Sequence, residues 1–146
     1  MALFTHRFRV RYAEVDPQSV VFNSRYLEYA DLMITEYWRS LDLHFSGDDA
    51  LEFHAVKAVV EYRQPIRLDE EIDGTAATTR IGSSSVTTEI RFYGAGGTDD
   101  LRSVVELVHV HVDLDSGKPN ARRVIHGFKH VIHKRAQIVI DLFHGL

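Results

Sequence analysis

The sequence predicts an α+β domain in which one long helix is buried against a five-stranded antiparallel sheet. Three observations carry this. Residues 24–41 place apolar side chains at spacings of three and four, the period of a helix. Residues 3–12 alternate apolar and polar, the period of a half-buried strand. From residue 52 onward the chain reads as four β-rich runs broken by short turns.

The first strand sends Phe4, His6, Phe8, Val10 and Tyr12 one way and Thr5, Arg7, Arg9 and Arg11 the other. Residues 13–22 break the alternation. Pro17 fixes its own φ and holds Asp16 extended, so a loop is expected. In the helix, Leu27, Ala30, Ile34, Trp38 and Leu41 form one apolar row, and Tyr26, Tyr29, Met33 and Tyr37 widen it. A helix apolar over most of its circumference belongs inside. Only a stripe near Glu28, Asp31, Thr35 and Arg39 is left polar. Asn23 or Ser24 is placed to cap its start. "FSGDD" (45–49) reads as a loop.

Next comes "EFHAVKAVVEYRQP" (52–65), a strand stopped by Pro65. "LDEE" (68–71) reads as a turn, and "IDGTAATTRI" (72–81) as a strand. Gly82 and the serines after it read as a hairpin turn, then "VTTEIRFYG" (86–94) as a strand. "GAGGTDD" (94–100) is a turn before the long β-branched run "LRSVVELVHVHVDLD" (101–115). "DSGKPNARR" leaves the sheet, and residues 124–146 read as part helix. Tight turns in succession imply antiparallel neighbours, and the economical arrangement is a sheet curled around the helix. The outer face of the last strand carries Val104, Val108, Val110 and Val112, so association into dimers or tetramers is expected to cover it.

A chain of 146 residues is expected to form a single domain over residues 1–146. The charge of −4, with basic residues scattered, argues against a nucleic-acid partner. With no cysteine, disulfides, thiolate metal sites and a Cys nucleophile are excluded. No apolar run approaches the ~20 residues that span a bilayer, and "MALFTHRFRV" does not read as a signal peptide. A cytoplasmic protein with no membrane partner is expected. The nine histidines are a distraction: His109 and His111 share a strand face, and His126, His130 and His133 have helical spacing. Neither set has the companions of a metal site, so no metal and no cofactor are expected.

The stretch "RYAEVDPQSVVFNSRYLEYAD" resembles the hotdog-fold acyl-CoA thioesterases, specifically the 4-hydroxybenzoyl-CoA thioesterase-like group. Tyr12, Asp16, Val20, Val21, Phe22, Asn23, Tyr26 and Asp31 carry the likeness, and "EYRQPIRLDEEI" adds to it. The resemblance runs to about residue 125 and implies a hotdog fold, with the five-stranded antiparallel sheet curled around one long central helix. It implies an acyl-CoA partner and hydrolysis of the thioester to free acid and CoA. It departs at Ser19, where members often carry Gly. Gly allows φ > 0 freely and Ser does not, so an altered loop path is expected.

By that resemblance, Asp16 is the catalytic carboxylate, attacking the thioester or deprotonating water. The backbone N–H of Asn23, at the helix N-terminus, is the oxyanion donor. Gln18, Val21, Tyr26 and Asp31 are the substrate-binding residues expected nearby. Arg80, Arg122 and Arg123 are candidates for the CoA phosphates. The residues alone leave Asp16 open to a plainer role, a turn residue that binds its own backbone. Two other classes are weighed: a non-catalytic acyl-CoA-binding or sensing module of the same fold, and a dehydratase, which would need an active-site His that neither His6 nor His54 is placed to provide.

Overall fold

A computed structural model describes residues 3–44, 47, 52–113 and 115–119. Arg122, Arg123, the tail read as part helix with its three histidines, and most of the 45–49 loop lie outside the described residues.

Five strands form one sheet: β1 (Phe4–Arg9), β2 (Phe53–Tyr62), β3 (Glu71–Ile81), β4 (Ser85–Tyr93) and β5 (Leu101–His111). Their order is β1-β3-β4-β5-β2, and every pair is antiparallel. The helix α1 (Arg25–Ser40) packs across β1, β3, β4 and β5. The α+β class and the antiparallel sheet are as expected.

The helix buries Tyr26, Tyr29, Ala30, Met33, Ile34, Tyr37 and Trp38. They meet Ile72, Ile90, Phe92, Val105 and Val86, all fully buried. Burying side chains of this size contributes about 1.5–3 kcal/mol each, which outweighs the modest helix propensity of Tyr, Ile and Trp. Gly74 sets the approach of helix to sheet, since a Cβ there would collide with the Met33 sulfur. A second tie is polar. β3 has an irregularity between Thr78 and Arg80, and there the Thr78 backbone N–H donates to the Tyr37 hydroxyl at 3.2 Å.

Three expectations need correction. Leu27, placed on the buried helical row, is 43% exposed, because the buried face of the first turns runs through Tyr26, Tyr29 and Ala30 instead. Tyr12 leaves the strand at a short 3-10 turn (Tyr12–Glu14) and is 83% exposed. The turn at 68–71 is real, with Asp69 at φ 66, but it does not join neighbouring strands. It sits inside a crossover from β2 at one edge to β3 on the other side of the sheet. Ile66, in the middle of that connection, is completely buried, which a simple surface hairpin would not achieve.

β2 is an edge strand with large apolar side chains in the open: Val56 is 61%, Val59 42% and Tyr62 54% exposed. Exposed apolar edges invite pairing with another chain.

Candidate active site

The loop expected at 13–22 is a small hairpin. The Asp16 N–H donates to Val20 O at 2.9 Å and the Phe22 N–H to Glu14 O at 3.0 Å, with a bridge between Val15 and Val21. The return strand then pairs with the crossover: the Val21 N–H donates to Ile66 O and the Leu68 N–H to Ser19 O. A three-stranded patch of backbone thus carries Asp16.

At its tip the Ser19 N–H donates to Asp16 O at 2.9 Å, and the Gln18 N–H to Asp16 Oδ1 at 2.8 Å. Pro17 leaves Asp16 extended, so the carboxylate folds back over its own turn. Oδ2 has no hydrogen-bond partner among the described residues. Ser19 has φ 61. The chain therefore takes up the left-handed conformation with a serine in place, at a cost of roughly 1 kcal/mol.

The stem is held by Glu14, a carboxylate sequence reasoning passed over. It is 4% exposed. It accepts from the Arg11 backbone N–H at 2.7 Å, from the Arg11 guanidinium, and from the Tyr29 hydroxyl at 3.1 Å. Burial pushes the carboxyl up, but the Arg11 and Tyr29 hydrogen bonds outweigh it, leaving Glu14 below the usual carboxylate range. Burial and the Glu14 charge push the Tyr29 phenol up, so it stays a donor. The signal was in the sequence: Arg11 and Glu14 stand three apart, the spacing of a cap.

After the hairpin the chain turns at 22–24 into the helix. Ser24 is the N-cap, but its side chain makes no capping hydrogen bond. The Arg25 N–H donates to Phe22 O at 2.9 Å. The N–H groups of Asn23 and Ser24 meet no acceptor among the described residues. They are free donors at the positive end of the helix.

A pocket of about 240 Å³ opens beside them, lined by Val20, Val21, Asn23, Tyr26 and Tyr62, and by Arg63–Pro65 of the crossover. Tyr26 is buried, which raises its phenol above the ordinary value, with the Ile66 backbone acting the other way. Tyr62, a second residue sequence reasoning missed, donates from its hydroxyl to Asn23 O at 2.9 Å. An aromatic ending a strand just before Arg-x-Pro was its only mark. Arg102 holds the crossover, donating to Pro65 O and to Glu70 and Asp100 at 2.7–3.0 Å.

Of the expected site residues, Asn23, Val21 and Tyr26 meet at this pocket. Asp16 is on the same hairpin but does not line it. Gln18 is exposed at the tip, and Asp31 is exposed two turns along the helix. Arg80 is exposed near the far end of β3, about 30 Å of strand from Glu71, where β3 leaves the crossover; within one chain it does not reach the pocket. Among the described residues no three His, Cys, Asp or Glu side chains are grouped to hold a metal, and no helix is long and apolar enough to cross a membrane.

Residues 10–132 match the thioesterase-like superfamily. The chain is 33% identical over 124 residues to the acyl-CoA thioester hydrolase YbgC of Escherichia coli, covering 82% of this chain and 89% of that protein. Its fold matches a 1,4-dihydroxy-2-naphthoyl-CoA thioesterase from Synechocystis with a TM-score of 0.79 at 16% identity, over 92% of this chain and 98% of that one. It also matches a Staphylococcus aureus protein solved in complex with CoA, with a TM-score of 0.82 at 15% identity, over 93% of this chain and 85% of that one.

Proposed function

The chain belongs to the thioesterase-like superfamily of hotdog-fold hydrolases, and from that premise we propose that it hydrolyses acyl-CoA thioesters through Asp16 and the helix N-terminus at Asn23. One observation carries the assignment. The Asn23 N–H meets no acceptor among the described residues, and Asn23 lines an apolar pocket, one short hairpin away from a half-buried carboxylate whose second oxygen meets no hydrogen-bond partner among them.

The chemistry follows from those groups. The thioester carbonyl oxygen accepts from the Asn23 N–H, which stabilises the negative charge that develops there; one such donor is worth about 2.7–4 kcal/mol. In one route Asp16 Oδ2 attacks the carbonyl carbon, the C–S bond breaks, and CoA leaves as a thiolate that takes a proton from water. Water then hydrolyses the mixed anhydride and frees Asp16. In the other, Asp16 takes a proton from water, the hydroxide attacks, and the proton passes to the departing sulfur. The pocket's valines and tyrosines would take the acyl group. Gln18 and Asp31 remain candidates for orienting water or substrate, and Arg80, Arg122 and Arg123 for the phosphates.

Asp16 stands outside the pocket lining of a single chain. A second copy docked on the β2 edge would cover Val56 and Val59 and wall the pocket, so the working form is a homodimer, or a homotetramer of such dimers. A cytoplasmic location fits a CoA substrate.

The test is free-thiol release from a panel of aliphatic and aromatic acyl-CoAs. Asp16→Ala should abolish turnover while leaving acyl-CoA binding; turnover unchanged in that variant removes Asp16 from the reaction. The non-catalytic acyl-CoA-binding module is favoured by one feature, the Gln18 N–H already held on Asp16 Oδ1. Binding without turnover on any thioester would select it.

A further inference from the structure

We infer that Arg102 is a positioning residue that sets which acyl groups the pocket admits, because its carbonyl and its guanidinium together clamp the main chain of the Arg63–Pro65 wall. This rests on the hydrolase reading above.

Arg63, Gln64 and Pro65 line the pocket and follow directly on the end of β2. One residue of β5 holds all three. The Arg102 carbonyl accepts from the Arg63 N–H at 2.9 Å and from the Gln64 N–H at 3.1 Å. Its guanidinium donates to Pro65 O at 2.8 Å, to the two Glu70 oxygens at 2.8 and 3.0 Å, and to the two Asp100 oxygens at 2.7 and 3.0 Å. These bonds occupy every N–H donor an arginine has. The side chain is only 12% exposed, so water competes little for them.

The fork is itself firmly seated. Glu70 accepts from the Arg67 N–H at 2.7 Å, and Asp100 from the Gly96 N–H at 3.2 Å. A Cβ at Gly94 would fall on the Arg102 guanidinium and the Asp100 carboxylate, so the β4–β5 turn closes over the fork only with glycine there. The Asp16 hairpin is tied further along the crossover, at Ile66 and Leu68. Loss of the guanidinium would therefore release the wall before the hairpin, and leave two carboxylates that shared one cation to repel each other. An apolar pocket separates substrates by fit, and a loosened wall fits less selectively.

The experiment uses the full chain as wild type, Arg102→Met, Arg102→Lys, Gly94→Ala and Gly74→Ala. Thiol release from acetyl-, hexanoyl- and benzoyl-CoA gives kcat and KM, below the melting temperature that thermal unfolding records for each variant. Arg102→Met should narrow the spread of kcat/KM across the three thioesters at least about five-fold, through KM more than through kcat. Arg102→Lys, which keeps the charge and loses the planar fork, should narrow it likewise. Gly74→Ala, which crowds Met33 and no lining residue, should keep the wild-type spread however far its melting temperature falls. If Arg102→Met does not fold, Gly94→Ala, which displaces the fork without removing it, takes its place and should narrow the spread at least about two-fold. Equal kcat/KM for all three thioesters in the wild type, a wild-type spread in Arg102→Met or its stand-in or in Arg102→Lys, a change confined to kcat, or the same narrowing in Gly74→Ala overturns the inference and leaves the hydrolase reading standing. A wild type that hydrolyses none of the three thioesters overturns both.

Discussion

The Tyr29 hydroxyl donates to Glu14 Oε1 at 3.1 Å, inside the protein, and couples the middle of the first helical turns to the stem of the Asp16 hairpin. Glu14 has other donors, but Tyr29 has only this acceptor among the described residues. Glu14→Ala should therefore leave a buried hydroxyl unsatisfied and cost about 1–3 kcal/mol, while Tyr29→Phe, which removes the donor itself, should cost about 1 kcal/mol. Urea denaturation of both variants checks the order. Equal costs would mean that Arg11, not Tyr29, is the partner that matters.

Acid should destabilise the fold in two windows. His109 is buried, its Nδ1 has no hydrogen-bond partner among the described residues, and its ring packs on Trp38 with centroids 5.1 Å apart. Burial holds its pKa below the ordinary 6.5, with the Asp31 charge acting the other way. The unfolded chain thus takes up a proton near 6.5 that the folded chain resists, so this stability is full above pH 6.5 and falls as pH drops below it. Glu14 and Glu70 are likewise held below their ordinary 4.5, which adds a second loss below that pH. Stability measured against pH should show both, and His109→Leu should flatten only the upper one.

Ser19→Gly should stabilise the protein by about 0.5–1 kcal/mol. The gain is the left-handed strain relieved at φ 61, less the extra freedom glycine gives the unfolded chain. Chemical denaturation measures it. A destabilised variant would show that Ser19 makes an interaction that offsets its backbone.

Gly74→Ala should be destabilising by about 1–3 kcal/mol, the ordinary range for overpacking a filled core. The new Cβ falls on the Met33 side chain, which is flexible, so the lower half of that range is expected. The double variant Gly74→Ala/Met33→Ala should cost less than the sum of the two single changes.

Much of the architecture was legible because its periods are strong. The aromatic and aliphatic residues of α1 could point nowhere but inward, and Ser85–Tyr93 alternates strictly in burial. The order of strands was not legible. A turn such as 68–71 has the same chemistry inside a crossover as in a hairpin, and only the burial of Ile66 tells them apart. The site was legible in part for a similar reason. Asn23 and Tyr26 follow from where the helix starts, and the Arg11–Glu14 cap has a local spacing, whereas the bonds of Glu14 to Tyr29 and of Tyr62 to Asn23 join residues 15 and 39 apart. No local pattern reports such contacts.

Among the described residues, the hydrogen bonds that hold the Asp16 hairpin to the crossover are main-chain ones: Val21 to Ile66, Ser19 to Leu68. Bonds of that kind do not depend on which side chains the residues bear. Gln18 at the tip should then accept wide replacement without loss of the fold, whereas one residue added or removed would slide Val20 and Val21 out of step with 66–67 and turn the buried Val21 side chain outward. Variation at this site can run through identity but not through length, which makes the tip a natural place to alter reactivity without touching the scaffold.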